Sequence, residues 1–345
     1  MDKKEFQTIH ETGVTSLLEK LGRYGGAERS ETSSGFTGSA SAARLEQTES
    51  SLLLSSSGIY IEGTHFDLVY TPLQHLGYKL SVAAASKIYS MNGQPVMAQV
   101  GLAVPNKVSV QMVEQIYGGF DRAGLDCNHS VKTGDITASR QGLAISVHVT
   151  GTVSEENIVS RKGCQNGDQI CVTGDLGGAM AGLRILLREK EAWKQSGKDR
   201  FNPDLQEYEY VLQRQLMPVA RRDFIASLAK AEIKPTSMIE LSQGLMNEIQ
   251  LIIDPADSGC EIFTPAVPIS LETRKVADEI REDVDRYAFY GGEDYEMLFT
   301  LKKEDVEKLK TEFEDFSVIG EVKPKERGIR LNTGEGKSVD ISSSS

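Results

Sequence analysis

Five short segments of the sequence combine acidic residues, glycine and arginine, the residue types that phosphate chemistry uses. Arginine pairs with phosphate oxygens through a planar fork of N–H donors, and carboxylate oxygens are the ligands that magnesium takes from proteins. One such short segment would be weak support for any function, so their order along the chain matters. They are residues 62–67 (EGTHFD), 133–135 (TGD), 161–163 (RKG), 240–245 (ELSQGL) and 291–296 (GGEDYE).

Two other glycine-rich sequences do not fit nucleotide-binding motifs. Gly336-Lys337-Ser338 resembles the end of a P-loop, but that motif needs a glycine where Leu331 stands. Residues 174–178 (GDLGG) lack the spacing of a dinucleotide fingerprint, and the entry into a helix explains their glycines. We therefore exclude both motifs.

The hydrophobic pattern predicts helices that alternate with strands in both halves, which indicates an α/β or α+β protein. Asp175 is the candidate N-cap of the third helix. Ser, Thr and Gly dominate residues 30–58, which predicts a mobile loop with one short strand. We expect two domains, residues 1–152 and 153–345. Predicted strands lie at 96–104, 143–150, 169–173, 296–301, 317–322 and 328–331, and helices at 72–91, 110–120, 174–194, 205–217, 221–231 and 304–314.

Composition argues against nucleic-acid and membrane partners. The 345 residues carry a formal net charge of -12, and Lys and Arg form no basic cluster. We assign the short pair Arg221-Arg222 to a solvated helix face. No apolar run approaches the roughly 18 residues that span a bilayer, and the polar N-terminus offers no signal core. Because the four cysteines show no metal-binding spacing, we expect a cytoplasmic protein with reduced, mostly buried thiols.

In this order and at these separations, the five segments resemble the thiamine-monophosphate kinase family, within the aminoimidazole-ribonucleotide-synthetase-like superfamily. The resemblance extends from about residue 51 to residue 322. It implies a two-domain fold that transfers the γ-phosphoryl group of ATP to thiamine monophosphate, which yields thiamine diphosphate. It also implies a homodimer whose N-terminal sheets close into a shared barrel, and Mg²⁺ ions held mainly by aspartates.

The resemblance also assigns roles to single residues that match the family's motifs. A lone histidine such as His65 can also be purely structural, and Asp294 can simply cap a turn. The implied positions are Gly134, Asp135, Arg161 and Ser242 for ATP; His65, Glu293 and Asp294 for the substrate; Asp135, Glu240, Ser56 and Ser57 for metal; and Asp135 and Lys87 for catalysis.

Four metal-binding carboxylates of the family map to residues that are not anionic ligands: Ala40, Gly58, Lys87 and Gln243. The aromatic residue that family members place near the C-terminus has no counterpart in residues 337–345. Three hypotheses follow. The protein is a homologue with little or no kinase activity, or a working kinase with fewer metal ions in which Lys87 binds phosphate, or a non-catalytic nucleotide-binding or regulatory partner of a true kinase.

Overall fold

The computed structural model describes residues 51–333 and 338–340, together with Lys20. Its contacts divide the chain into two compact units. The first comprises Met1–Ile88 and Gly93–Glu155, and the second comprises Tyr89–Asn92 and Glu156–Ser345, in each case as far as they are described. Ala40, one of the replaced carboxylate positions, lies outside the described residues.

The first unit is a four-stranded sheet in the order β1-β4-β2-β3 with two helices. Strand β1 pairs antiparallel with β4, β4 antiparallel with β2, and β2 parallel with β3. The predicted helices and strands of this region are confirmed, with longer strands than expected. The elements are β1 (Ser51–Ile61), α1 (Leu73–Tyr89), β2 (Gln94–Pro105), α2 (Val110–Asp126), β3 (Ser130–Ser139) and β4 (Ala144–Ser154).

Strand β1 corrects the expectation of a mobile loop for residues 51–58, while residues 30–50 lie outside the described residues. Residues 51–58 belong to a strand of 11 residues, whose backbone pairs with β4 along its whole length. Leu54 and Tyr60 point into the core, while the serines between them alternate across the strand. Serine has a low preference for strands, but pairing with a neighbouring strand overrides such local preferences.

The two faces of the first sheet differ in their environment. Helix α1 packs on one face, where the Ser56 hydroxyl donates to the Ala84 carbonyl oxygen at 2.9 Å. The opposite face carries large apolar side chains of β1 that remain accessible: Leu53, Ile59 and Ile61 are 51%, 68% and 45% exposed. A row of this kind is unusual on an isolated sheet because apolar side chains gain free energy when they leave water.

The second unit is a seven-stranded sheet in the order β11-β10-β7-β9-β5-β8-β6. Strands β10 and β7 are parallel, and all other neighbours are antiparallel. The mixed α/β class predicted from the sequence is confirmed. The elements are β5 (Gln169–Thr173), α3 (Gly178–Ser196), α4 (Glu209–Leu216), α5 (Arg222–Ala231), β6 (Ser237–Glu240), α6 (Leu245–Ile253), β7 (Ser258–Phe263), α7 (Leu271–Ile280), α8 (Val284–Tyr290), β8 (Met297–Leu301), α9 (Lys303–Lys310), β9 (Phe316–Pro324), β10 (Ile329–Asn332) and β11 (Ser338–Asp340).

Helices cover both faces of this second sheet. Leu298 of β8 joins a buried apolar cluster with Ile249 of α6 and Val172 of β5. The next residue, Phe299, points to the other face and packs on Phe224 of α5, with ring centroids 4.7 Å apart. The sheet is therefore a central layer, which explains why its strands are apolar on both sides.

The N-terminus of α3 corrects a second expectation. Asp175 does not cap this helix; its carboxylate accepts a hydrogen bond from the Tyr210 hydroxyl. The caps come from Asp294, whose oxygens accept from the backbone N–H groups of Gly177 at 2.8 Å and Ala179 at 3.1 Å. The capping residue is 117 positions from Gly177, so no local pattern could reveal it.

The cysteines agree with the sequence expectation, since Cys127, Cys164, Cys171 and Cys260 are all free and buried. Burial raises the pKa of the Cys260 thiol to about 12, which makes it a poor nucleophile at neutral pH. No helix within the described ranges is long and apolar enough to cross a membrane.

Candidate functional site

The candidate residues of β1 and α1 lie together and are largely engaged in contacts with each other. The Lys87 ammonium donates to the Ser57 carbonyl oxygen at 2.9 Å, and the Ser56 hydroxyl is bonded to α1. A β-carbon at Gly58 would lie 2.6 Å from the Tyr60 hydroxyl oxygen, so the Tyr60 ring fills the space that a side chain at 58 needs. This part of the molecule therefore presents the Lys87 ammonium beside the end of β1.

Asp135 and Gly134 lie on β3, at the opposite edge of the same sheet. Asp135 is exposed, and its Oδ1 accepts from the Ile136 N–H at 2.9 Å. A β-carbon at Gly134 would lie 2.6 Å from the Val100 carbonyl oxygen, so the register shift of β2 and β3 needs glycine there. Two strands separate β3 from β1, and Ser57 is in register with Lys132 rather than Asp135, so strand spacing alone keeps Asp135 more than about 14 Å from Ser57. The structure therefore does not bring Asp135 together with Ser56, Ser57 and Lys87.

His65 lies in the turn that follows β1. Its Nδ1 accepts from the Ile61 N–H at 3.1 Å, and its ring stands edge-on to Tyr60 at 5.7 Å between centroids. Glu62, in the same motif, accepts from the Leu143 N–H at 2.9 Å and ties the end of β1 to the start of β4. The ring of His65 is exposed, so a contact with substrate is sterically open and stays a prediction.

In the second unit, the segments 240–245 and 291–296 lie side by side. The Leu241 N–H donates to the Glu296 carbonyl oxygen at 2.8 Å, the Tyr295 N–H to the Leu241 carbonyl at 2.9 Å, and the Glu293 N–H to the Ser242 carbonyl at 3.0 Å. Two motifs that are about fifty residues apart in sequence thus form one backbone ladder. The structure brings Ser242, Glu293 and Asp294 together.

Two buried glutamates flank the turn at Ser242. Glu248 accepts with Oε1 from the Ser242 N–H at 3.1 Å and from the Gln243 N–H at 2.7 Å. Desolvation raises the pKa of Glu248, because these hydrogen bonds do not fully offset its burial. Glu240 is only 3% exposed, and its Oε2 has no hydrogen-bond partner among the described residues. An unpaired buried oxygen of this kind calls for an explanation in a native structure.

The segment 291–296 ends in a buried ion-pair network. Glu296, which is fully buried, accepts from the Thr173 hydroxyl at 2.6 Å, from Arg214 Nη1 at 2.7 Å and from Arg221 Nε. Asp294 is 3% exposed, and burial raises its pKa to about 6, although Arg214 and two backbone N–H groups act in the opposite direction. Both carboxylate oxygens of Asp294 are engaged in capping α3. The contact of Asp294 with substrate stays a prediction.

The network corrects the assignment of Arg221-Arg222 to a solvated face. The Arg221 side chain is only 11% exposed and pairs with Glu296 and with Asp315 at 2.8 Å, whereas Arg222 is exposed. The sequence pattern did not single out Arg214, and it assigned no role in the site to Arg221. The acidic residues at the end of segment 291–296 could have indicated that such arginines exist, because a buried carboxylate requires a cationic partner.

Arg161 and its motif lie in the connection before β5. Arg161 is exposed and forms no ion pair with any residue that the structure describes. The neighbouring Gly163 packs so closely on the Thr236 carbonyl oxygen that a β-carbon would overlap it. Asp168, a few residues on, is buried and accepts from the Thr236 hydroxyl at 2.7 Å. Gly163 and Asp168 therefore anchor this connection to Thr236, while Arg161 stays accessible to an anion.

The residues present do not fit the magnesium cluster that the resemblance implies. Within residues 51–333 and 338–340, no group of three or more His, Cys, Asp or Glu side chains could hold a metal ion. Position 58 is filled by Tyr60, and position 87 carries an ammonium that bonds to Ser57.

Comparison with known proteins places this arrangement in a family. The family described as AIR synthase related protein, N-terminal domain, matches residues 39–153. The thiamine-monophosphate kinase of Aquifex aeolicus (strain VF5) is 31% identical over 289 residues, which cover 84% of each protein. That of Bacillus subtilis (strain 168) is 28% identical over 252 residues, covering 73% of each.

Solved structures show the same fold. The thiamine-monophosphate kinase from Stenotrophomonas maltophilia K279a matches with a TM-score of 0.77 at 24% identity, covering 93% of this chain and 96% of that one. The structure of AaThiL complexed with AMPPCP and TMP matches with a TM-score of 0.72 at 27% identity, covering 97% and 98%. With a relative above 30% identity across most of both proteins, this chain belongs to the thiamine-monophosphate kinase family.

Proposed function

We propose that this protein binds ATP and thiamine monophosphate, or a closely related phosphorylated ligand, and transfers phosphate slowly or not at all. The observation that carries this proposal is the Lys87 ammonium at 2.9 Å from the Ser57 carbonyl oxygen. By resemblance, a metal-binding aspartate belongs at position 87. Two like charges about 4 Å apart at an effective dielectric of 20 repel by roughly 4 kcal/mol, so an ammonium there opposes any cation.

In this proposal, the residues for ligand binding are retained more fully than those for metal binding. Gly134, Asp135, Arg161 and Ser242 are the proposed ATP contacts, and the accessible guanidinium of Arg161 supports this reading. His65, Glu293 and Asp294 are the proposed substrate contacts. A relative bound to AMPPCP and TMP supports ligands of the same two kinds here. The metal roles of Asp135, Glu240, Ser56 and Ser57 remain separate proposals, because β3 with Asp135 and β1 with Ser56 and Ser57 form opposite edges of the first sheet.

We also propose a homodimer formed through the first sheet. Strand β1 presents Leu53, Ile59 and Ile61 on the face that no helix of the described unit covers. A second copy of the same sheet would bury this apolar row, as the barrel of the family implies.

The test combines binding with turnover. In a coupled assay with ATP, Mg²⁺ and thiamine monophosphate, we expect turnover well below about one per second, the low end of ordinary kinase rates. Calorimetry with AMPPCP in EDTA should still detect binding. Turnover at or above that rate would overturn the proposed impairment. If the protein bound neither AMPPCP nor thiamine monophosphate, the proposed binding function would be overturned, and only the shared fold would remain.

A gain-of-function variant tests the site map directly. Lys87→Asp, Gly58→Asp and Gln243→Asp restore three proposed carboxylates, and Tyr60→Ala opens the space beside position 58. We expect Mg²⁺-dependent turnover to rise in the combined variant relative to wild type. A folded variant without any rise would contradict the assignment of these positions.

A working kinase with a reduced metal site is the second candidate, because Glu240 keeps a buried carboxylate oxygen without a partner among the described residues. In this case Lys87 would bind phosphate directly. Activity should then collapse in Lys87→Ala, and unchanged or improved activity in that variant would rule this candidate out.

A further inference from the structure

Helix α4 contacts the segment 291–296 with two consecutive side chains. Arg214 donates to Glu296 Oε1 at 2.7 Å, and its Nη2 lies 3.7 Å from Asp294 Oδ1. Gln215 is 6% exposed and donates through Nε2 to Glu293 Oε2 at 3.5 Å. One turn of α4 therefore reaches three of the four residues from 293 to 296.

The backbone of this segment is strained in a way that needs such support. Glu293 and Tyr295 have φ angles of 69° and 53°, in the left-handed region that residues other than glycine rarely adopt. Strained conformations persist where surrounding contacts over-determine them, and they cluster at ligand-binding sites. The contacts of Asp294 and Glu296 fix the residues on either side of Tyr295. Contacts with α4 and α3 therefore hold the strained backbone of this segment in place.

The distance between α3 and α4 is set by a glycine. A β-carbon at Gly182 of α3 would overlap the Val211 carbonyl oxygen of α4 and lie 2.8 Å from the Gln215 β-carbon. The close approach allows Gln215, buried between the helices, to reach Glu293. Gln213, two positions earlier on α4, is exposed and points elsewhere.

We infer that α4 is the positioning element of the substrate side of the site. Arg214 fixes the backbone of segment 291–296, and Gln215 orients the Glu293 carboxylate toward the ligand. Gln215 is therefore a positioning residue that determines affinity for the thiamine moiety and leaves nucleotide affinity unchanged. This inference rests on the proposed function, in which Glu293 contacts the substrate.

The experiment compares two affinities in the full-length chain. Gln215→Met keeps the shape of the side chain and removes its donor, and Gln215→Glu places a second carboxylate against Glu293. Calorimetry is done with thiamine monophosphate and, separately, with AMPPCP. Both variants should bind thiamine monophosphate at least tenfold more weakly than wild type. AMPPCP affinity should stay within about twofold of wild type, with an unchanged Tm for Gln215→Met.

Gln213→Met is the matched control, because it makes the same change on the solvent side of α4. Equal affinity of wild type and both Gln215 variants for thiamine monophosphate would overturn the positioning role alone. The positioning role would also be overturned if Gln213→Met lost as much affinity for thiamine monophosphate as the Gln215 variants. The same holds if the Gln215 variants lost AMPPCP affinity to the same extent. Wild-type protein that binds no thiamine monophosphate would instead overturn the proposed function on which the inference rests.

Discussion

At the scale of single residues, neighbours in the sequence occupy opposite environments. The Arg221 side chain is only 11% exposed and pairs with Glu296, whereas Arg222 is exposed. A buried ion pair contributes little net stability when it is intact, but removing one partner leaves a charge without compensation. The two arginines thus provide a matched pair of substitutions.

We expect Arg221→Met to lower the free energy of unfolding by about 3–5 kcal/mol, because Glu296 would keep its charge and lose one of two cations. Arg222→Met should change it by about 0.5 kcal/mol or less. Urea unfolding of both variants measures the difference. Similar losses in the two variants would contradict the buried network.

Asp294 makes stability depend on pH. Burial raises the pKa of its carboxyl from the ordinary value of 3.8 to about 6 in the folded protein. The folded state therefore binds the proton more tightly than the unfolded state, and ionisation costs stability. The contribution of Asp294 to the free energy of unfolding should fall as pH rises from about 4 to above 6, by up to about 3 kcal/mol.

Asp294→Asn isolates this effect, because an amide does not titrate and other groups cancel in the comparison. We expect the wild-type free energy of unfolding, minus that of the variant, to fall across this pH range. Urea unfolding at several pH values measures it. A difference that is constant or rises with pH would show that the backbone N–H groups and Arg214 outweigh burial.

At the scale of elements, alanine substitutions at two adjacent glycines of α2 measure two different effects, helix packing at one position and helix propensity at the other. A β-carbon at Gly119 would overlap the Gln74 carbonyl oxygen of α1, whereas nothing lies within 4 Å of one at Gly118. We expect Gly119→Ala to destabilise the protein by about 1–3 kcal/mol, because α1 and α2 must move apart. Gly118→Ala should stabilise it by about 0.5–1 kcal/mol through helix propensity.

Thermal or urea unfolding of the two alanine variants tests this prediction. Two variants with the same sign of effect would contradict the close packing of α1 on α2.

At the scale of the whole molecule, the accessible apolar row of β1 leads to a prediction about assembly. Ile59 is 68% exposed on the uncovered face of the first sheet. If a second copy covers this face, Ile59→Asp places a charge in an apolar interface and should convert a dimer into a monomer. Size-exclusion chromatography with light scattering measures the mass directly.

Leu271→Asp is the control, because Leu271 is 81% exposed on α7 in the other unit. That variant should keep the mass of the wild type. A wild-type monomer, or a dimer that survives Ile59→Asp unchanged, would contradict assembly through the first sheet.

Much of the fold and the outline of the site follow from the sequence, because hydrophobic periodicity is a local property. It predicted β5 at residues 169–173 without error, both helices of the first unit and the mixed α/β class. The order of five short motifs was sufficient for the family. It also marked segments 240–245 and 291–296 as important before their backbones were known to pair.

Only the tertiary structure decided which polar groups meet. Asp294 caps a helix whose N-terminus lies 117 residues away, a pairing that local periodicity cannot encode, whereas Asp175 looked like the natural cap. The same limit applies to Arg221, because its burial depends on Glu296, 75 positions further on. The separation of Asp135 from Lys87 likewise follows from strand order. Sequence patterns report neighbours along the chain, while capping, ion pairing and the geometry of a site depend on neighbours in space.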